Sequence, residues 1–420
     1  METRTWVGAA CLAALAAAPA AARAETVTAS STTIVSGQRD PRDGTVHTVV
    51  PFLELVSLRA ADLKNPLLNE TQIVVSGWGE VVAGDPRDGK SALGDVDVAY
   101  VEGSQWHRHL SVRLGRQFVV PGTAANLQLD GISPTLRIAK GFGLSGFVGV
   151  PVTPRFGYSR GEFAAGGRAF WSRSYESEVG VSILEILGEG QHVFRRDAGI
   201  DARYRIIDSL ALSGLVRWSI PEQRIAEANT AITWQPFRYL DATAEFRRTA
   251  PDLFLPRYSI FSVFAQETRD EFGGYLSIRP WGRRLDIQGD FHDVHDASGW
   301  GWNGGGKGTI RFGEATRLGV ESRRLRIPGG GYFMGRVFGW HVVTTKIRAV
   351  ANFDAYSLDR SVNGQDRSFF ASASLVYDVA PAWRAVLTGM NNVTPYATHQ
   401  IEGLIKVVYD GGRVIKETTR

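Results

Sequence analysis

Cysteine is nearly missing from this chain: Cys11 is the one thiol in 420 residues. If it leaves with the leader described below, a disulfide-stapled secreted domain, a thiolate metal site and haem attached through a CxxCH pair are all excluded. Long apolar runs are missing too. After residue 24 no stretch reaches the ~18 apolar residues from which a spanning helix is read. Charge of one sign is not in excess either. Lys and Arg number 47 against 43 Asp and Glu, a net +4 that leaves no nucleic-acid footprint. Stretches of helical period are also wanting. What the chain does have is 47 Gly and 11 Trp, 12 Tyr and 21 Phe beside an ordinary 21% of charged residues, a combination that needs an architecture.

Residues 1–24 carry Arg4, an apolar run from Trp6 to Ala18, and the small triplet Ala22-Arg23-Ala24. They read as a signal peptide cleaved between Ala24 and Glu25. The run is shorter than the ~20 residues of a membrane anchor. Residues 25–420 are expected to form one domain.

From Glu25 onward polar and apolar residues alternate with a period of two, in runs of roughly ten. Asp197, Gly199, Asp201, Arg203 and Arg205 lie on one face, opposed to Ala198, Ile200, Ala202, Tyr204 and Ile206 on the other. Asp286, Gln288, Asp290 and His292 likewise oppose Leu285, Ile287, Gly289 and Phe291. A water-soluble sandwich alternates in the same way, and three further features decide against it. Ten residues at ~3.3 Å each, tilted, cover the ~25 Å apolar band of an outer membrane. Trp106, Trp171, Trp218, Trp234, Trp281, Trp383 and Tyr409 fall near the ends of apolar faces, where an interfacial girdle belongs.

Connections, finally, alternate in length. Short ones are expected near 105–107, 140–142, 173–175, 208–209, 237–238, 281–283, 313–315, 344–345 and 380–381. Long ones fall at 84–94, 120–133, 153–161, 188–195, 220–226, 250–270, 294–306, 326–332, 358–367 and 391–398. The expectation is an all-β fold: a single transmembrane antiparallel up-and-down β-barrel of about 22 strands, within a range of roughly 18–24. Strand-like sequence begins at Thr26, which leaves no room for a plug domain. Both termini then lie on the short-turn, periplasmic rim, and a last strand ending at Tyr409 leaves a short tail over 410–420.

The segment Leu110-Ser-Val-Arg-Leu-Gly-Arg-Gln-Phe-Val-Val-Pro-Gly122, followed by Leu129-Asp-Gly-Ile132, resembles the LxLGRQ…G…DG stretch of porin-like outer-membrane β-barrel proteins of Gram-negative bacteria. The resemblance spans about 25 residues and implies a barrel in the outer membrane. Such a barrel is expected to be a passive channel for small hydrophilic solutes, with no enzymatic activity, cofactor or metal. Its surroundings would be outer-membrane lipid and lipopolysaccharide, and the barrel-assembly machinery would insert it. Val112 replaces the first leucine of the stretch, and Lys416 to Arg420 stand where porins end in an aromatic residue. By face, Arg113 and Gln117 point into the lumen and Leu114 and Phe118 outward, while Arg116 breaks the alternation. A bulge or a position at the rim accounts for Arg116.

Other strings carry less. Gly141 to Gly146 matches a dinucleotide fingerprint but lies between strands, and Gly301 to Lys307 lacks the Ser or Thr of a phosphate loop. His292, His295 and Asp296 offer metal-ligand chemistry near a rim, where polar residues are ordinary. The informative set is the lumen itself. Arg113, Gln117, Arg168, Asp197, Asp201, Arg203, Arg205, Arg217, Asp286, Asp290, Lys307, Arg311 and Arg348 are candidates for cross-strand pairing and for setting selectivity. Pairing of Asp286 and Asp290 with Lys307 and Arg311 is expected. The apolar segment 249–264, with Asp252, Phe254, Arg257, Tyr258 and Phe261, is expected to fold inward as a constriction, with packing against a partner as the alternative. Two alternatives stay open: a barrel sheathing a periplasmic partner, such as a cytochrome of an electron conduit, and an outer-membrane enzyme.

Overall fold

The computed structural model describes residues 26–42, 45–63, 69–84, 91–106, 109–120, 122–124, 127–152, 161–174, 176–188, 193–253 and 267–414. The expected leader and Phe254, Arg257, Tyr258 and Phe261 of the expected constriction lie outside the described residues.

The described chain is almost entirely strand. The first six strands are β1 (Thr26–Arg42), β2 (Thr45–Leu63), β3 (Asn69–Gly84), β4 (Ala92–Gln105), β5 (Leu110–Val119) and β6 (Leu127–Arg137). Next come β7 (Phe142–Pro151), β8 (Gly161–Ser174), β9 (Ser177–Gly188), β10 (Val193–Ile207), β11 (Leu210–Ser219), β12 (Arg224–Phe237) and β13 (Leu240–Thr249). The remainder are β14 (Arg269–Ile278), β15 (Leu285–Asp296), β16 (Gly299–Phe312), β17 (Thr316–Ile327), β18 (Gly330–Val342), β19 (Ile347–Val362), β20 (Gln365–Ala380), β21 (Trp383–Thr394) and β22 (Ala397–Val414). Each pairs antiparallel with its neighbours in sequence. β22 then pairs with β1 from Thr26↔Val414 to Gly37↔Gly403, closing a 22-stranded barrel with no free edge at its ends. The closing strand therefore runs past Tyr409, so residues 410–414 belong to the wall and not to a tail.

The short turns fall where alternation placed them, on the rim that carries both chain ends, here the lower rim. Several of the upper connections are shorter than expected. Gly299 to Gly306 belong to β16, and β15 joins β16 through two residues, 297 and 298. Likewise β17/β18, β19/β20 and β21/β22 turn in two residues each. Glycine made these segments look like loops, but it serves close strand approach. A Cβ at Gly301 would sit 2.5 Å from the Arg326 carbonyl oxygen across the ladder. Strands are accordingly 10–19 residues long instead of about ten.

Faces sort cleanly. Leu114, Ile132, Val148, Val181, Ile200, Ile232, Leu276 and Leu318 are exposed on the outer surface, while Phe147, Leu184, Asp197 and Arg217 are buried inside. Outer-face residues stay apolar for a constant height above the lower rim. Leu240, Ala242, Ala244 and Phe246 precede Arg248 on β13, and Leu285, Ile287, Gly289 and Phe291 precede Asp293 on β15. Eight residues at ~3.3 Å with a ~40° tilt give a band about 20 Å tall, near the span of an outer membrane. Above the band the wall continues as charged strand, which is why long loops are not needed there.

Candidate functional site

Arg113, Gln117, Arg168, Asp197, Asp201, Arg203, Arg205, Arg217, Asp286, Asp290, Lys307, Arg311 and Arg348 all occupy the inward face by register. The interior they share is narrowed by a segment that alternation placed outside. After Val119 the chain leaves the wall, and Gly122, Thr123 and Ala124 form a single buried 3₁₀ turn within the lumen. The Thr123 amide donates to Ser182 Oγ of β9 at 3.0 Å, and Arg195 of β10 donates to the Thr123 carbonyl at 3.3 Å. Gly122 has φ +64°, and a Cβ there would collide with Ser182. Only glycine combines that backbone with so close an approach. Beside the turn lies a cavity of about 240 Å³ whose lining includes Arg113, Val119, Thr123, Phe147 and Arg168.

The wall that receives this turn is held by buried ion pairs. Arg168 contacts Asp201 and, at 2.8 Å, Glu178. Asp197, 1% exposed, contacts Arg195 and lies 3.6 Å from Arg217, which reaches Glu227 at 2.7 Å. Arg205 pairs with Glu176 at 2.9 Å. Arg168, Asp197 and Arg217 are desolvated and need these partners, whereas Arg205 and Glu176 are solvent-exposed. Thr123 and Arg195 escaped sequence reading because residues 120–133 and 188–195 both looked like external connections; the Pro121-Gly122 pair in the sequence was the one available signal.

Further round the barrel a second cluster joins Glu245 to His292 at 2.9 Å and Asp290 to Arg323 at 2.7 Å. Arg336 binds Asp354 at 2.6 Å. The expected pairing of Asp286 and Asp290 with Lys307 and Arg311 does not form. Asp290 reaches two strands across to Arg323, Asp286 accepts from Ser277 and Gln288, and Lys307 lies 5.2 Å from the centre of the Phe338 ring. Arg311 and Arg317 stand directly opposite each other on β16 and β17, with no carboxylate partner among the described residues. His292 faces the lumen and His295 the outer surface, where it stacks on Trp300 at 4.5 Å, so the two cannot share a ligand. Asp252 pairs with Arg224 at 3.0 Å, anchoring the start of segment 249–264 to the upper rim.

Arg116 has a local explanation. Because the chain turns inward after Val119, the β4–β5 ladder stops at Ala99↔Arg116 and leaves the upper part of β4 without a β5 partner among the described residues. Side chains take over from the missing backbone. Arg116 donates to the Val96 carbonyl at 3.0 Å and binds Asp130 at 2.9 Å and Asp95 at 3.2 Å, while Gln128 donates to the Asp97 carbonyl at 2.5 Å. A bulge in β4 between Val96 and Val98 lies at the same place. Arg116→Leu is expected to cost about 1–3 kcal/mol by leaving these acceptors unmet, read as a lower temperature for loss of the compact barrel on gels.

No family model matches this sequence, and no curated protein matches it. Solved structures do. The translocation pore of the P pilus usher PapC superposes with a TM-score of 0.53 at 9% identity, covering 93% of this chain and 100% of its own. OccK5 of Pseudomonas aeruginosa gives 0.46 at 10% identity, over 92% of this chain and 98% of its own. A BenF-like porin of Pseudomonas fluorescens Pf-5 gives 0.43 at 7%, over 92% and 99%. At such identities the usher pore speaks for architecture alone, and with the closed ladder it leaves one conclusion: the chain folds as a closed 22-stranded antiparallel β-barrel.

Proposed function

We propose that this barrel resides in the outer membrane and lets small hydrophilic solutes diffuse passively through a lumen narrowed by the Gly122–Ala124 turn. One observation carries the reading: a closed ladder whose outer face is apolar over about 20 Å and whose inner face is charged. A lumen partly filled by the chain's own backbone leaves less room for a sheathed partner, which favours the channel over the scaffold.

The solute preference follows from how the inward charges are distributed. On the β8–β13 wall Arg and carboxylate cancel in pairs. On the β16–β22 wall Lys307, Arg311, Arg317, Arg348 and Lys406 outnumber the carboxylates left over from the Arg336 and Arg384 pairs. Charge near a low-dielectric wall sets ion preference. Under a KCl gradient the purified protein in a planar bilayer is expected to show a reversal potential of anionic sign. Arg311→Gln with Arg317→Gln should move it toward zero. A barrel that does not conduct, or one that prefers cations, would overturn this reading.

A further inference from the structure

The outer face carries a ring of charge just above the apolar band, and most of it is neutralised within the wall. Arg116 is held by Asp130 and Asp95, Arg196 by Glu185 at 2.7 Å, and Arg248 by Asp270 at 3.4 Å. Over β16 to β20 the pattern changes. Arg324 is tied to Asp359 at 2.7 Å, but Arg326 and Arg367, both exposed, have no carboxylate partner among the described residues. A lateral row of register pairs runs Arg324↔Phe333, Phe333↔Ser357, Ser357↔Arg367. Arg326 lies two residues beyond Arg324 along β17, so three strand spacings of ~4.8 Å and about 7 Å along the strand place the two uncompensated arginines roughly 16 Å apart on the wall.

Beneath and beside them the same face is aromatic. Trp302 lies directly opposite Arg326 and stacks on Phe291 at 5.9 Å. Phe353 stacks on Phe369 at 6.2 Å, Phe333 lies between, and Trp300 is 72% exposed. Free guanidinium groups above an aromatic shelf, at the height where an apolar band ends, complement an amphiphile with anionic groups on its head and acyl chains below. Two separated cationic points fit two phosphates on one rigid headgroup better than a single-phosphate lipid.

We propose that the upper outer face of β16 to β20 seats one diphosphorylated glycolipid of the outer leaflet, with its phosphates on Arg326 and Arg367 and its acyl chains on Trp302, Phe333 and Phe369. The proposal rests on the membrane placement of the upper rim and is independent of what passes through the lumen. Its test is native mass spectrometry of the full-length protein in mild detergent with hexa-acylated diphosphoryl lipid A. The wild type is expected to retain one lipid A per barrel, and dephosphorylated lipid A to be retained about tenfold less. Arg326→Gln with Arg367→Gln should lose at least tenfold, lysine at both positions should restore most of the retention, and Arg248→Gln, whose native arginine is already paired, should change little. An unchanged temperature for loss of the compact barrel on gels shows that the variants are folded. Equal retention by wild type and the double glutamine variant, or equal competition by phosphatidylglycerol, would overturn the site.

Discussion

Gly122→Val is expected to raise single-channel conductance about twofold, because the turn that narrows the lumen can then no longer seat. The reasoning is steric and conformational at once. Gly122 adopts φ +64°, where a β-branched residue is strained, and any Cβ there strikes Ser182. The turn is held on the facing wall by one amide to Ser182 and one guanidinium to the Thr123 carbonyl, and Ala124 packs into the apolar cluster of Leu129, Phe147, Leu184 and Ile186. Deleting residues 121–125 should reproduce the increase, and deleting 254–262 provides the comparison for the other segment expected to narrow the pore. If Gly122→Val and the 121–125 deletion both conduct like the wild type, the turn is not the constriction.

The second large effect concerns stability. Asp197→Leu is expected to cost about 3 kcal/mol, seen as a lower urea midpoint for unfolding of the refolded barrel. Asp197 is 1% exposed, so the substitution leaves Arg195 without a carboxylate and Arg217 with Glu227 in a desolvated wall. Adding Arg195→Met should recover part of the loss, since removing that charge removes its uncompensated burial. A single variant as stable as the wild type would mean that lumen water reaches these groups and screens them.

How much of this could be read beforehand depends on the kind of signal. The closed sheet was legible because alternation is imposed on every strand by two different solvents, and Asp197 to Ile206 shows it without exception. Strand ends on the upper rim were not. Gly299 to Gly306 has the composition of a loop, and only the neighbouring ladder shows that its glycines admit close backbone approach. The inward turn was invisible for a related reason: Gly122, Thr123 and Ala124 are small, uncharged and without periodicity, and their partners lie more than fifty residues away. Arg116 was visible as a break in the pattern, but its role depends on where the β4–β5 ladder stops. The lumen residues were assigned correctly to a face, yet their partners were not, because Asp290 reaches past its adjacent strand to Arg323.

Closure by β1 and β22 also has a kinetic side. The two strands that seal the sheet are the first and the last in the described chain, joined by register pairs such as Thr26↔Val414. Contacts of that sequence separation are the slowest to form, since nearly the whole chain must be brought round before they contribute. Until then the growing sheet presents two unsatisfied edges, each a template for pairing with a second copy. Removing residues 400–414 would leave most of the wall's hairpins intact while denying the sheet its final seam. Such a truncation should accumulate as aggregate in place of closed barrel, marking the barrel as a structure that is committed only when its last strand arrives.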